Sequence, residues 1–251
     1  MRKPLIGISP DRSDEANNIE SHFFLRRNYC SAVAAGGAVP LILPYQMELI
    51  DHYLDMLDGI VLSGGMFDID PQWYGVRPAH GSQICLKPDR TQFEHALLRG
   101  ALKRNIPVLG ICGGMQLIAV EMGARLFQHL PSDVPSQIEH KQTAACDVAT
   151  HRIRLVKGSR LQQILGLDEL QVNSLHHQAV IEGNQRLLVS ASADDGVVEA
   201  IEVIGHQFCI GVQWHPEYQA HNSEHKLFSA LAAAANEFRI ISGILPGRGS
   251  L

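Results

Sequence analysis

The chain has 251 residues, 45% of them apolar and 19% charged, and 21 basic against 26 acidic side chains give a net charge of −5. That balance excludes a disordered tail or a disulfide-stapled mini-domain, and without a long basic run it argues against nucleic acid or an anionic membrane surface as the main partner. An aromatic content of 6% also fits poorly with base stacking, which leaves small molecules as partners. No stretch approaches the ~18 consecutive apolar residues of a membrane span, and the first apolar run, Leu5–Ile8, is too short for a signal-peptide core. The five cysteines (30, 85, 112, 146 and 209) are scattered, odd in number and free of CxxC spacing, a pattern of reduced thiols in the cytoplasm.

In chain order, Leu5–Ile8, Val39–Leu43, Gly59–Leu62 and Val108–Ile111 read as short strands apolar on both faces, which a parallel sheet covered by helices requires. Helical patterns lie between them at His22–Ala35, Met47–Leu57 and Thr91–Lys103. In the last, Phe93, Ala96, Leu97, Ala101 and Leu102 form the apolar stripe, and Arg90 and Lys103 are left for solvent. The stretch from Ser63 to Asp89 reads as a long loop, and loops of that length inside compact domains are usually functional. The second half is richer in strands, at His151–Val156, Leu187–Ala191, Glu199–Val203 and Cys209–Trp214, before a helix over Glu224–Phe238. The reading is one α/β domain over residues 1–239, with a mostly parallel central sheet and an antiparallel extension, followed by a flexible tail over 240–251.

Gly110-Ile111-Cys112-Gly113-Gly114 falls where a buried strand ends and a helix, Met115–Met122, begins. This is the setting of a nucleophile elbow, whose tight turn needs small neighbours. A sulfur there sits at a helix N-terminus, where the dipole favours thiolate, and the Gly113 N–H points where an oxyanion would form. A buried cysteine in a glycine-rich turn would look the same, so the second element decides. In Gly211-Val212-Gln213-Trp214-His215-Pro216-Glu217 a histidine follows another apolar strand, with an acid two residues on. Cys112, His215 and Glu217 thus supply a nucleophile, its base and the group that orients the base.

Leu62-Ser63-Gly64-Gly65, the elbow through Gln116, Val172-Asn173-Ser174-Leu175-His176-His177-Gln178 and Gly211 to Glu217 occur in that order. Together with Asp68-x-x-Pro71-x-x-Tyr74-Gly75, Leu126-Phe127-Gln128 and Asp194-Asp195-Gly196-Val197-Val198-Glu199-Ala200, they resemble the class I glutamine amidotransferase-like superfamily. Within it, the likeness is to the γ-glutamyl hydrolase branch, the peptidase C26 type. The resemblance covers residues 4 to 238 and implies a flavodoxin-like three-layer sandwich. It implies a hydrolase that cleaves the γ-glutamyl amide of a small compound of the γ-glutamyl-γ-aminobutyrate kind through a thioester, with no cofactor and no metal. Carried over residue by residue, it makes Cys112 the nucleophile, His215 the base and then acid, and Glu217 the orienting acid. Gly65 and Gly113 become the oxyanion donors, and Gly64, Gln116, Asn173, Ser174 and His176 become substrate-binding residues. Of His176 and His177, one is expected to be a pocket wall and the other structural. The chain departs from the family pattern at Gly113, where arginine is usual, at Gly123-Ala124, where relatives often carry Gly-Gly, and at Thr91, where many have aspartate.

Two other readings are kept open: a glutaminase subunit that feeds ammonia to a synthase, and a non-catalytic γ-glutamyl-binding protein. A homodimer is compatible with all three. His221-x-x-x-His225 has metal-ligand spacing on a helix but lacks a third ligand, and reads as a solvated helix face. The cysteines other than Cys112 read as inert.

Overall fold

The computed structural model describes residues 2–13, 21–79 and 84–244 of the chain. Its centre is a nine-stranded sheet in the spatial order Val39–Ile42, Leu5–Ile8, Gly59–Leu62, Val108–Ile111, Cys209–Val212, Val198–Val203, Leu187–Ala193, His151–Leu155 and Glu169–Val172. The first five strands are parallel and the remaining pairings are antiparallel. The expected mostly parallel core with an antiparallel extension is therefore what forms.

The apolar runs explain the layering. In Gly59–Leu62 the side chains alternate, so Ile60 and Leu62 join the core on one face and Val61 the core on the other. Helices Ile50–Met56, Pro88–Arg104 and Gly113–Glu121 cover the first face, through Leu54, Phe93, Leu97 and Leu117. Helices Arg27–Ala35, Arg160–Leu165 and His225–Ile244 cover the second, through Val33, Leu161, Leu227 and Phe228.

Several expectations need correction. The helix read from His22 begins only at Arg27, because Phe23–Phe24 pairs as a short antiparallel ribbon with Asp11–Arg12 and Phe23 sets its ring edge on Tyr45. Val39–Ile42 is an edge strand and half exposed rather than buried. The strand Glu169–Val172 and the helix Arg160–Leu165, capped by the Ser159 hydroxyl, fall between the patterns read from the sequence. Arg90, expected at the solvent face, is buried in the first turn of its helix. The last helix continues to Ile244, through the beginning of the expected tail, and residues 245–251 lie outside the described residues. Among the described residues no helix is long and apolar enough to cross a membrane.

Candidate active site

Three adjacent parallel strands deliver the site. Leu62 pairs with Gly110, and Ile111 with Val212, so Ser63, Cys112 and Gln213 leave the sheet side by side at its carboxyl edge. That edge is where ligands bind in open α/β sheets.

Cys112 stands between its strand and the helix Gly113–Glu121 at φ 52°, ψ −107°. A left-handed φ on a side-chain-bearing residue is strained, and here it lifts the thiol out of the turn. The neighbouring glycines make the turn sterically feasible. A Cβ on Gly114 would sit 2.2 Å from the Leu62 carbonyl oxygen, and one on Gly110 2.6 Å from Ile118 Cδ1. The elbow thus needs glycine for close approach of strand and helix, as read from the sequence.

His215 Nδ1 lies 2.7 Å from Glu217 Oε1, and the His215 ring and the Cys112 side chain both lie against Gly64, near enough for Cys112 to act on the charge of the ring. Burial works against a charged imidazole, but the Glu217 carboxylate and Cys112 outweigh it and hold His215 well above its ordinary pKa. The His215 backbone is held by Asn173. Its Oδ1 accepts the His215 N–H at 2.8 Å and its Nδ2 donates to the His215 carbonyl at 3.0 Å and to the Cys146 carbonyl at 2.6 Å. Tyr29, unnoticed in the sequence, completes the surroundings. Its hydroxyl accepts the Gly64 N–H at 3.0 Å, and burial and the nearby Glu217 carboxylate push its phenol well above the usual value.

The glycine loop after Leu62 is held by a buried polar cluster. Arg90 Nη2 donates to the carbonyls of Ser63 (2.7 Å) and Gly64 (3.1 Å), and its Nε donates to Glu94 Oε1 at 3.0 Å. Ser9 joins Glu94 to both the N–H and the hydroxyl of Ser63, and Asp11 bridges Arg90 to Lys87. The Arg90 guanidinium also lies 4.2 Å from the centre of the Phe67 ring. Gly65 has no room for a side chain, since a Cβ would be 2.4 Å from Arg90 Nη1. A Cβ on Gly113 would meet two Phe67 ring carbons at 3.1 Å, so an arginine at this position would press on the Phe67 ring.

Beside the elbow is a cavity of about 360 Å³, with Cys112, Gly65, Gln116, Asp68, Lys141 and His177 among its walls. Of the expected substrate-binding residues, Gln116 and His176 line it. Gln116 Nε2 is bonded to the Gln178 carbonyl and Gln213 Oε1. Gly64, Asn173 and Ser174 are not among its walls. The Gly64 N–H is taken by Tyr29, Asn173 by the His215 backbone, and the Ser174 hydroxyl by the His140 carbonyl at 2.7 Å. Both histidines of the pair, rather than one, reach the cavity, and His177 Nε2 is 2.6 Å from Asp68 Oδ1. Cys85, expected to be inert, is exposed and also lines the cavity. His221 precedes the last helix, which begins at His225, so the two do not share a helix face. Arg90, Tyr29 and Lys141 carry no local motif for this site. The nearest signal is Asp68 within its x-x-Pro-x-x-Tyr-Gly frame.

A family model described as peptidase C26 matches residues 4–217. A glutamine amidotransferase-like protein of Rickettsia prowazekii is 35% identical, the alignment covering 93% of this chain and 98% of the relative. The γ-glutamyl-γ-aminobutyrate hydrolase of Escherichia coli K12 is 33% identical over 88% of each chain. The fold is also that of a solved Thermoplasma acidophilum structure described as part of a GMP synthase, with a TM-score of 0.67 at 19% identity over 97% of this chain and all of that one. The strand-end thiol, the paired histidine and acid, and this match across most of the chain lead to one assignment: the protein belongs to the peptidase C26 family of glutamine amidotransferase-like proteins.

Proposed function

We propose that this protein is a self-sufficient hydrolase of small γ-glutamyl amides, acting through a thioester on Cys112. The observation that carries the reading is the grouping of Glu217, His215 and Cys112, with Cys112 in the wall of a cavity of mixed polar and apolar lining. In this reading the Cys112 thiolate attacks the γ-carbonyl carbon while His215 holds the proton. The developing oxyanion takes hydrogen bonds from the N–H groups of Gly113, at the first turn of its helix, and Gly65. Collapse breaks the C–N bond, and the His215 imidazolium passes its proton to the departing amine. Water then attacks the thioester with His215 as base, releasing glutamate and restoring the thiol. The Lys141 cation and the Asp68 carboxylate offer opposite charges for the carboxylate and amino ends of the glutamyl group. Phe67, Asp68 and Cys85, from the segments that follow the glycine loop, line the cavity and give the leaving amine a binding surface within the same chain.

The test is steady-state turnover of the purified chain against a panel of γ-glutamyl amides, quantifying glutamate and free amine. Turnover without any added protein, abolished in Cys112→Ala, is the expected result. Negligible hydrolysis alone, with ammonia release from glutamine only on adding a synthase partner, would overturn the reading in favour of a glutaminase that works only when docked.

A further inference from the structure

The antiparallel half of the sheet holds a buried cluster for which the hydrolytic scheme has no use. Glu199, on the strand Val198–Val203, is fully buried. Three imidazoles converge on its Oε1: His151 Nε2 at 3.2 Å, His140 Nδ1 at 3.3 Å and His176 Nε2 at 3.5 Å. All three residues are buried too. Four atoms of this one cluster have no hydrogen-bond partner among the described residues: His140 Nδ1, His151 Nδ1, His176 Nε2 and Glu199 Oε2. Buried polar atoms are nearly always paired, and two of these orphans, His140 Nδ1 and His176 Nε2, face the same Glu199 oxygen.

The outer contacts fix where the lone pairs point. His140 Nε2 lies 2.9 Å from Asp195 Oδ2, and Asp195 is held in turn by the Ser136 hydroxyl and the Val197 N–H. A carboxylate only accepts, so a proton sits on Nε2, and a His140 that yields any second proton to a metal turns the Nδ1 lone pair inward. His176 Nδ1 faces the Gln178 carbonyl at 2.9 Å, which turns its Nε2 lone pair inward as well. Lone pairs aimed at a carboxylate oxygen repel it unless a proton or a metal ion lies between them, and at 3.3 and 3.5 Å the His140 and His176 contacts are long for a proton bridge. A carboxylate or carbonyl on the far nitrogen is also how metal-binding imidazoles are usually oriented.

Distances agree. One donor atom from each of His140, His151 and Glu199 lies within 4.8 Å of the others. Ligand bonds of ~2.0–2.1 Å in a tetrahedron give ligand–ligand edges of roughly 3.3 Å, close to the His140 and His151 separations from Glu199. Access exists on two sides. A cavity of about 590 Å³ is lined by His140, His176 and Val197, and a smaller one by His151 and Gln142.

We propose that His140, His151 and Glu199 bind a divalent transition-metal ion, with Zn²⁺ the best match to two imidazoles and one carboxylate, and with the fourth position left to water or His176. This differs from the metal-free expectation drawn from the family resemblance. The ion would tie three segments together: the loop carrying His140, the strand His151–Leu155 and the strand Val198–Val203. Because His176 also lines the cavity beside Cys112, the ion would brace one wall of that cavity. The site stands independently of the reaction proposed above.

The experiment uses full-length protein with Cys112→Ala, stripped with chelator, so that the elbow thiol is not a ligand. Zn²⁺ is added, excess is removed by gel filtration, and bound metal is measured by mass spectrometry. Co²⁺ is added in parallel and its visible spectrum recorded. The expected result is one ion per chain, a tetrahedral Co²⁺ spectrum without thiolate charge-transfer bands, and a higher thermal midpoint with Zn²⁺ than without. His151→Gln should lose the ion, and Asp195→Asn should weaken it by roughly 10- to 100-fold. If His151→Gln fails to fold, Asp195→Asn decides, since that carboxylate lies outside the cluster. Absence of a bound ion in the parent protein overturns the proposal, as do thiolate bands in the Co²⁺ spectrum. Affinity unchanged in Asp195→Asn, or in a folded His151→Gln, overturns it equally.

Discussion

His215 is pulled in two directions, by a buried environment that disfavours its charge and by the Glu217 and Cys112 partners that favour it. Because the partners win, removing the acid charge has a signed consequence. In Glu217→Gln the ring keeps a hydrogen-bonding neighbour but loses the anion, so burial regains control and the pKa of His215 falls. We expect kcat/KM to drop by roughly a hundredfold, the scale of a compromised acid–base group. The limb of the pH–rate profile that reports His215 should move to lower pH. A lower plateau with an unmoved limb would mean that Glu217 only holds the ring in place. At this scale the sequence is most informative where function is local. Cys112, His215 and Glu217 lie within two short motifs at strand ends, so the motifs alone bring them together. Asn173 and Ser174 read as substrate residues because one segment of the resemblance carries both cavity walls and braces. Only the hydrogen bonds from Asn173 to the His215 backbone separate the two roles. Tyr29 acts on Gly64 from 35 residues away, with no local pattern to announce it.

The elbow depends on how closely a strand and a helix can approach. Gly114 lies against the Leu62 carbonyl with no space for a methyl group, and that carbonyl belongs to the strand leading into the glycine loop. Gly114→Ala should therefore push the helix Gly113–Glu121 away from the strand Gly59–Leu62, at a cost of about 1–3 kcal/mol for overpacking. It should also cost activity, because Gly113 opens the displaced helix and Cys112 immediately precedes it, while Gly65 lies in the loop that follows the strand. Denaturant unfolding together with kcat/KM checks both, and wild-type stability in the variant would contradict the close approach. The elements themselves are legible where both faces are buried, since an apolar run such as Val108–Ile111 fits only a covered strand. Arg90 misleads for a related reason. At the edge of an amphipathic helix it looks like a solvent residue, yet Asp11, Ser63 and Gly64 come from other segments to pair with it in the interior. No periodicity within one helix reports partners that arrive from elsewhere in the chain.

Across the whole molecule, the sheet divides the work. Its parallel half presents three strand ends to one point and so carries the thiol, the histidine and the glycine loop. Its antiparallel half supplies the cavity wall around His176 and the buried Glu199 cluster behind it. The layered class is readable from the alternation of strands and helices. The histidine cluster is not, because its members are spread from His140 to Glu199 and meet only when the antiparallel strands pair. Covalent chemistry at Cys112 is the centre of the proposed reaction, and one measurement reaches it directly. A γ-glutamyl amide is mixed with the protein, the reaction is quenched in acid during turnover, and intact mass and peptide mapping follow. A mass increase of one glutamyl group, located on the peptide containing Cys112 and missing in Cys112→Ala, is the predicted result. Sustained hydrolysis with no adduct on Cys112, or with the same adduct on Cys85, which also lines the cavity, would contradict it.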